Sequence, residues 1–168
     1  MPEVDESIEE VVNGEIRIMP PAKVNRAWIV ACLNRLLLRQ LDDKREVVFT
    51  GSFGIVIRKA PLTSRVPDLA VFQVAAMVQK DGCIHSAPHL LVEVLSPSNT
   101  RRDREEKLAD YASLGVPEVW VISPEARTVE VLQLADGFLR TVQILATGAL
   151  TPKLFPQVKV DIASIWPD

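Results

Sequence analysis

Three residues carry the chemistry this sequence could perform: Asp68, Glu93 and Lys107. Glu93 interrupts the apolar run LLVEVL at 90–95, and Asp68 leads the run DLAVF. An ionised carboxylate taken out of water is costly unless a cation or a metal compensates it, so each of these acids is either paired or employed. Lys107 lies four residues after Asp103 and four before Tyr111, which puts all three on one stripe of a helix. Its amine can then reach back toward the strand end that carries Glu93. Two neighbouring carboxylates repel each other and raise each other's pKa, and a divalent cation relieves that repulsion. Mg²⁺ takes few protein carboxylates and keeps several waters, an arrangement suited to bringing a phosphate oxygen and an attacking water together. An amine alongside would stabilise the developing negative charge. The plainer alternative has Asp68 capping a turn after Pro67, Glu93 paired with an arginine, and Lys107 solvated beside Asp103. Spacing alone leaves both open.

The elements that must position these residues can be read from periodicity. The run from Leu90 reads as a strand covered on both faces, stopped by Pro97 and Asn99. A helix from Arg101 to Leu114 follows, ended by Gly115 and Pro117, and VWVI at 119–122 is a second buried strand. Together they form a β-α-β unit. Upstream, Asn13-Gly14 between IEEVV and EIRIM predicts a hairpin of strands 8–12 and 15–19. Ala22 to Leu41 predicts the first long helix, with Ile29, Leu33, Leu36, Leu37 and Leu41 facing the core. Strands are expected at 46–50 and 53–58, a loop from Lys59 to Pro67, the DLAVF strand, and a helical turn from Gln73 to Met77. TVEVLQL and FLRTVQIL about Asp136-Gly137 predict a closing hairpin, and the tail is expected along the sheet edge, anchored by Leu154, Phe155, Ile162 and Trp166.

With 168 residues, of which 48% are hydrophobic, the chain can bury one sizeable core, so a single domain over 1–168 is expected. Cys32 and Cys83 stand far apart, the start MPEVDESIEE is acidic, and no apolar run is long enough for a membrane span; these point to a cytoplasmic protein without a membrane role. A net charge of -3 means that nucleic acid could be held only by a local patch. Arg101, Arg102, Arg104 and Lys107, with Arg58, Lys59 and Arg65, could line such a groove, or the arginines could simply make a solvated helix face. Cys83, His85 and His89 have the spacing of soft metal ligands, but no partner cluster completes a zinc site.

At VPDLAVF and LLVEVLSPSNTRRDREEKLADYASLGVPEVWVIS, and again at NGEIRIMPP and FPQVKVDIASIW, the chain resembles the Uma family of restriction-endonuclease-like bacterial proteins. That family is a branch of the PD-(D/E)XK nuclease superfamily. The resemblance implies an α/β fold with a restriction-endonuclease-like core: a central mixed β-sheet flanked by helices, with β-hairpins at both ends of the chain. It implies Mg²⁺-dependent hydrolysis of nucleic-acid phosphodiester bonds, with Mn²⁺ as a substitute and DNA as the expected partner. Asp68 and Glu93 would hold the metal, with the main-chain carbonyl of Val94 as a further ligand. The motif lysine would stand at Leu95, and Lys107 is its substitute from the next helix. A second departure is Asn25, where relatives would carry a histidine; asparagine can position a water but cannot take a proton. Glu15 is a candidate for the rim of the site, or a solvated residue after the hairpin turn. A homodimer is the expected assembly, since closed pairs are the commonest and two sites reach both strands. The alternative function is a nuclease fold without turnover that binds nucleic acid or a protein partner.

Overall fold

The computed structural model describes residues 8–168. Strands β1 (Ile8–Val12) and β2 (Glu15–Met19) form the expected hairpin, and its two turn residues, Asn13 and Gly14, both have positive φ, at 52° and 83°. Helix α1 (Val24–Leu38) starts later than Ala22 because Lys23, just before it, is extended at φ -69°, ψ 156°; it buries Ile29, Cys32, Leu33 and Leu37. Leu36 and Leu41 are only partly buried.

Strands β3 (Glu46–Thr50), β4 (Ile55–Lys59) and β5 (Leu62–Arg65) follow. The last of these lies inside the expected loop. Its inward residues are Thr63 and Arg65, so it has no apolar alternation by which to be recognised. Next come β6 (Leu69–Gln73), a 3₁₀ turn at Val74–Ala76, and the short strands β7 (Gln79–Lys80) and β8 (Cys83–Ile84). The β-α-β unit is β9 (Leu90–Val94), α2 (Arg101–Leu114) and β10 (Glu118–Ser123). The closing hairpin is β11 (Thr128–Ala135) with β12 (Phe138–Leu145), and β13 (Ala149–Leu150) pairs with β14 (Val160–Asp161) in the tail.

The fold is mixed α/β, as expected, with the strands divided between two large sheets. The central sheet runs β12-β11-β10-β9-β6-β3, with β9 and β10 parallel and joined through α2. The second runs β2-β1-β5-β4-β8-β7, so the N-terminal hairpin belongs to this sheet and not to a rim of the central one. Alternate residues of β9 serve opposite faces. Leu90, Val92 and Val94 pack with α1 and with tail residues Phe155, Val158, Val160 and Ile162. Leu91 packs with Tyr111 of α2 and with Ile55 and Ile84 of the second sheet. The tail therefore covers a face beside α1 instead of running along an edge, and Leu154, expected as an anchor, is exposed.

An apolar side chain buried this completely is worth about 1.5–3 kcal/mol relative to exposure. Among these apolar strands the buried acids are Glu93 in β9 and Glu118 in β10. Helix α2 is fixed at both ends. Thr100 and Asp103 form a reciprocal capping box, and Gly115 closes the helix at φ 89°, where a side chain would be strained. Among the described residues no helix is long and apolar enough to cross a membrane.

Candidate active site

By the pleat of β9, Glu93 shares its face with Leu91 and points toward α2. There its carboxylate accepts from the Tyr111 hydroxyl, and the Lys107 ammonium lies 3.4 Å from each of its oxygens. The register between β6 and β9 pairs Leu69 with Val92; continued by one step, it sets Asp68 beside Glu93 where the two strands end. The Asp68 carboxylate turns across that end. Its Oδ2 accepts from the Val94 N–H at 2.7 Å, and its Oδ1 takes both Nε and Nη2 of Arg26, at 2.7 and 2.6 Å. The three residues singled out by spacing are thus brought to one corner of the molecule. Val94 meets Asp68 through its N–H, and its side chain is buried on the opposite face.

Burial raises the Glu93 pKa, and the Lys107 charge opposes that rise only in part; the Asp68 charge adds to it. Burial would lower Lys107, but Glu93, Glu10 and Asp68 together outweigh it and hold the ammonium above its ordinary value. Tyr111 is raised well above the usual phenol, by burial and then by Glu93, so it remains a hydrogen-bond donor. Lys107 is therefore a protonated group at neutral pH, able to donate and to stabilise negative charge but not to act as a general base.

The predicted stripe of Asp103, Lys107 and Tyr111 is divided between two tasks: Asp103 closes the capping box with Thr100, while Lys107 and Tyr111 turn to Glu93. Leu95, where the resemblance led a lysine to be expected, packs against the apolar cluster under α2. Asn25 is exposed and lines a groove; Glu15 is exposed in the hairpin. His89 accepts from the Gln73 N–H through Nδ1, and among the described residues no group of three or more His, Cys, Asp or Glu side chains is arranged to hold a metal.

Two residues at this corner escaped the sequence reading. Glu10 is buried in β1, accepts from the Val66 N–H and lies 3.4 Å from Lys107. Its signal was present, because residues 10 and 12 share one face of a strand and Val12 is core. Arg26 lies three residues before Ile29, so it extends the buried stripe of α1 by one cationic position.

A small cavity of about 30 Å³ opens against Glu93, Lys107 and Tyr111, with Arg26 and Asp103 in its wall. That is enough for one water-sized body. Arg26, Leu95, Asn99 and Arg104 also line an adjoining groove of about 600 Å³, whose other residues include Lys23, Asn25 and Arg101. Arg58 and Arg65, expected in such a groove, lie elsewhere and are bound to Asp110. The donor set is of the kind a hard divalent cation takes: carboxylate oxygens of Asp68 and Glu93 on adjoining strand ends, with a water-sized space against Glu93. Such an ion is held by one or two carboxylates plus substrate phosphates and needs no third acid.

The family profile Uma2, described as Putative restriction endonuclease, matches residues 1–163. In three dimensions the chain is similar to a putative nuclease belonging to DUF820 from Anabaena variabilis, at a TM-score of 0.78 and 20% identity, over 98% of this chain and 92% of that one. At that identity the likeness concerns the fold. A search among curated proteins found no match.

Proposed function

The chain belongs to the Uma2 family, and from that membership we propose that it is a metal-dependent endonuclease acting on nucleic-acid phosphodiester bonds. The observation that carries the proposal is the placement of Asp68 and Glu93 at adjoining strand ends with the Lys107 ammonium on Glu93. In this reading Asp68 and Glu93 hold Mg²⁺, or Mn²⁺ in its place, with the Val94 carbonyl as a further ligand. When bound, the cation would neutralise phosphoryl charge and make a water more acidic.

The chain's own groups do the rest. Lys107 stabilises the negative charge that develops as water attacks the phosphoryl group, and Tyr111 holds the Glu93 carboxylate in place. Glu10, also 3.4 Å from the Lys107 ammonium, helps to position it. Lys23, Arg101 and Arg104 in the adjoining groove would meet the phosphate backbone, with DNA as the proposed substrate. The proposed assembly is a homodimer, whose two sites would reach both strands, and light scattering at micromolar concentration tests it. Cytoplasmic placement belongs to the same proposal and rests on two cysteines that remain unpaired.

The test is incubation of the purified protein with plasmid and Mg²⁺ or Mn²⁺. Cutting is expected, and it should disappear in Asp68→Ala and Glu93→Ala; cutting that survives both substitutions would rule out this site.

A second reading is favoured by Arg26 on Asp68 and by Asn25 in the groove: a nuclease fold that binds nucleic acid or a protein partner without cleaving. Salt-sensitive DNA affinity with no metal requirement would support it.

A further inference from the structure

The ion pairs at this corner join equal numbers of the two charges, with Arg17 and Arg58 reaching in from the exposed edge. Arg26 pairs with Asp68; Lys107 pairs with Glu93 and Glu10; Arg65 pairs with Glu10, Glu106 and Asp110; Arg58 adds to Asp110 and Arg17 to Glu106. Five carboxylates thus face five cations. A divalent ion entering this set would leave excess positive charge beside Asp68 and Glu93, both of which are buried. Either one of the resident cations gives way, or negative charge arrives with the ion.

The resident cations are not equally held. Arg65 is 2% exposed and bound by three carboxylates, and Lys107 is bound by two. Arg26 is 15% exposed and grips a single oxygen, Oδ1 of Asp68. It lines the small cavity at Glu93, the basic groove, and a third hollow that contains Asp68. A guanidinium at that junction has a second destination within reach of its own side chain, and phosphate is the partner its planar fork suits best.

Resting on the metal-site reading above, we propose that Arg26 is a displaceable counter-ion. It neutralises Asp68 in the resting protein and turns into the groove to take a substrate phosphate when the metal is bound. Metal and nucleic acid then bind cooperatively, because the phosphate supplies the negative charge that the ion requires and draws away the arginine that opposes it. Arg26 is in this sense a positioning residue for Asp68 and a binding residue for substrate.

The experiment is a calorimetric Mn²⁺ titration of the wild type, Arg26→Gln and Asp68→Asn, with and without a cleavage-resistant phosphorothioate DNA duplex. In the wild type the duplex is expected to tighten Mn²⁺ binding about tenfold, a usual size for coupling between two sites. Without duplex, Arg26→Gln should bind Mn²⁺ about tenfold more tightly than wild type, and the added effect of the duplex should shrink to the part that phosphate charge supplies by itself. Should Arg26→Gln fail to fold, Arg26→Lys, which keeps the charge but loses the fork, should show the same changes at smaller size. Equal or weaker Mn²⁺ binding in the folded Arg26 variant, with binding still abolished by Asp68→Asn, overturns this proposal alone. Absence of Mn²⁺ binding in wild type under every condition overturns the metal site and this proposal with it.

Discussion

Two clusters of buried charge lie on either side of Glu10, built from the same residue types and put to different ends. Around Arg65 the packing is closed. Its guanidinium reaches Glu10 at 3.1 Å, Glu106 at 3.0 Å and Asp110 at 2.7 Å, and neither it nor Glu10 is more than 2% exposed. Charge attraction from Asp110 and Glu10 overcomes the burial that would lower the Arg65 pKa, and the group is held still more firmly protonated. Around Asp68 and Glu93 the packing is open. Lys107 stands 3.4 Å from its carboxylates, Arg26 grips one oxygen only, and a cavity adjoins both cations. A cation shared among three carboxylates is structural; one held at longer range, or on a single carboxylate oxygen beside a space, is available to an incoming ligand.

Breaking the closed cluster should give the largest effect. Arg65→Met would take from Glu10, Glu106 and Asp110 the cation they share and should cost about 3–5 kcal/mol in urea denaturation. A loss below about 1 kcal/mol would put the two clusters on the same footing.

Next in size is the open cluster. Glu93→Gln should lower metal-dependent plasmid cleavage by roughly 10²–10³-fold while the denaturation midpoint moves far less than in Arg65→Met. Lys107→Met should lower the cleavage rate by roughly 10²-fold, and Lys107→Arg, which keeps the positive charge, should restore part of it. A rate unaffected by Lys107→Met would leave Lys107 with a packing role only.

The pH dependence sharpens the contrast. Glu93 is raised by burial, so the native state holds this proton more tightly than the unfolded chain does. Its contribution to stability is then fully present below the unfolded carboxylate pKa and is lost as pH rises through the higher native one. A cation needs the ionised form, so Mn²⁺ affinity should fall with decreasing pH and begin to do so above the usual carboxylate range. Glu93→Gln should remove that dependence; a midpoint at an ordinary carboxylate pKa would refute it.

The smallest effect is expected at the helix that delivers Lys107. Thr100→Ala should cost about 1 kcal/mol, the usual price of a lost N-cap. Asp103, held below its ordinary pKa by the Thr100 hydrogen bonds, should stabilise the fold above the unfolded carboxylate pKa and lose that contribution as pH falls through its native value. Thermal melts over acidic pH would check both.

Much of this site was legible because local pattern dictates it. The apolar run about Glu93 required a covered strand, and the four-residue steps to Lys107 and Tyr111 required one helical stripe. Strand β5 was not legible, since its buried side chains are Thr63 and Arg65, and a buried arginine looks like a surface residue until its acids are found. Glu10 and Arg26 stood on readable faces, but their partners did not. Each is a charged residue on an otherwise apolar face, and its meaning depends on a partner 55 or 42 positions away.

The order of the longer strands and helices other than β5, the mixed α/β class and the candidate acids followed from the sequence alone, because helical and extended periodicity act over a few residues. The tertiary structure alone decided which carboxylate meets which cation, that the N-terminal hairpin joins a second sheet, and that the tail lies beside α1. Those outcomes depend on contacts between residues far apart in the chain, where the electrostatic cost of burying a charge is settled only by what is packed against it.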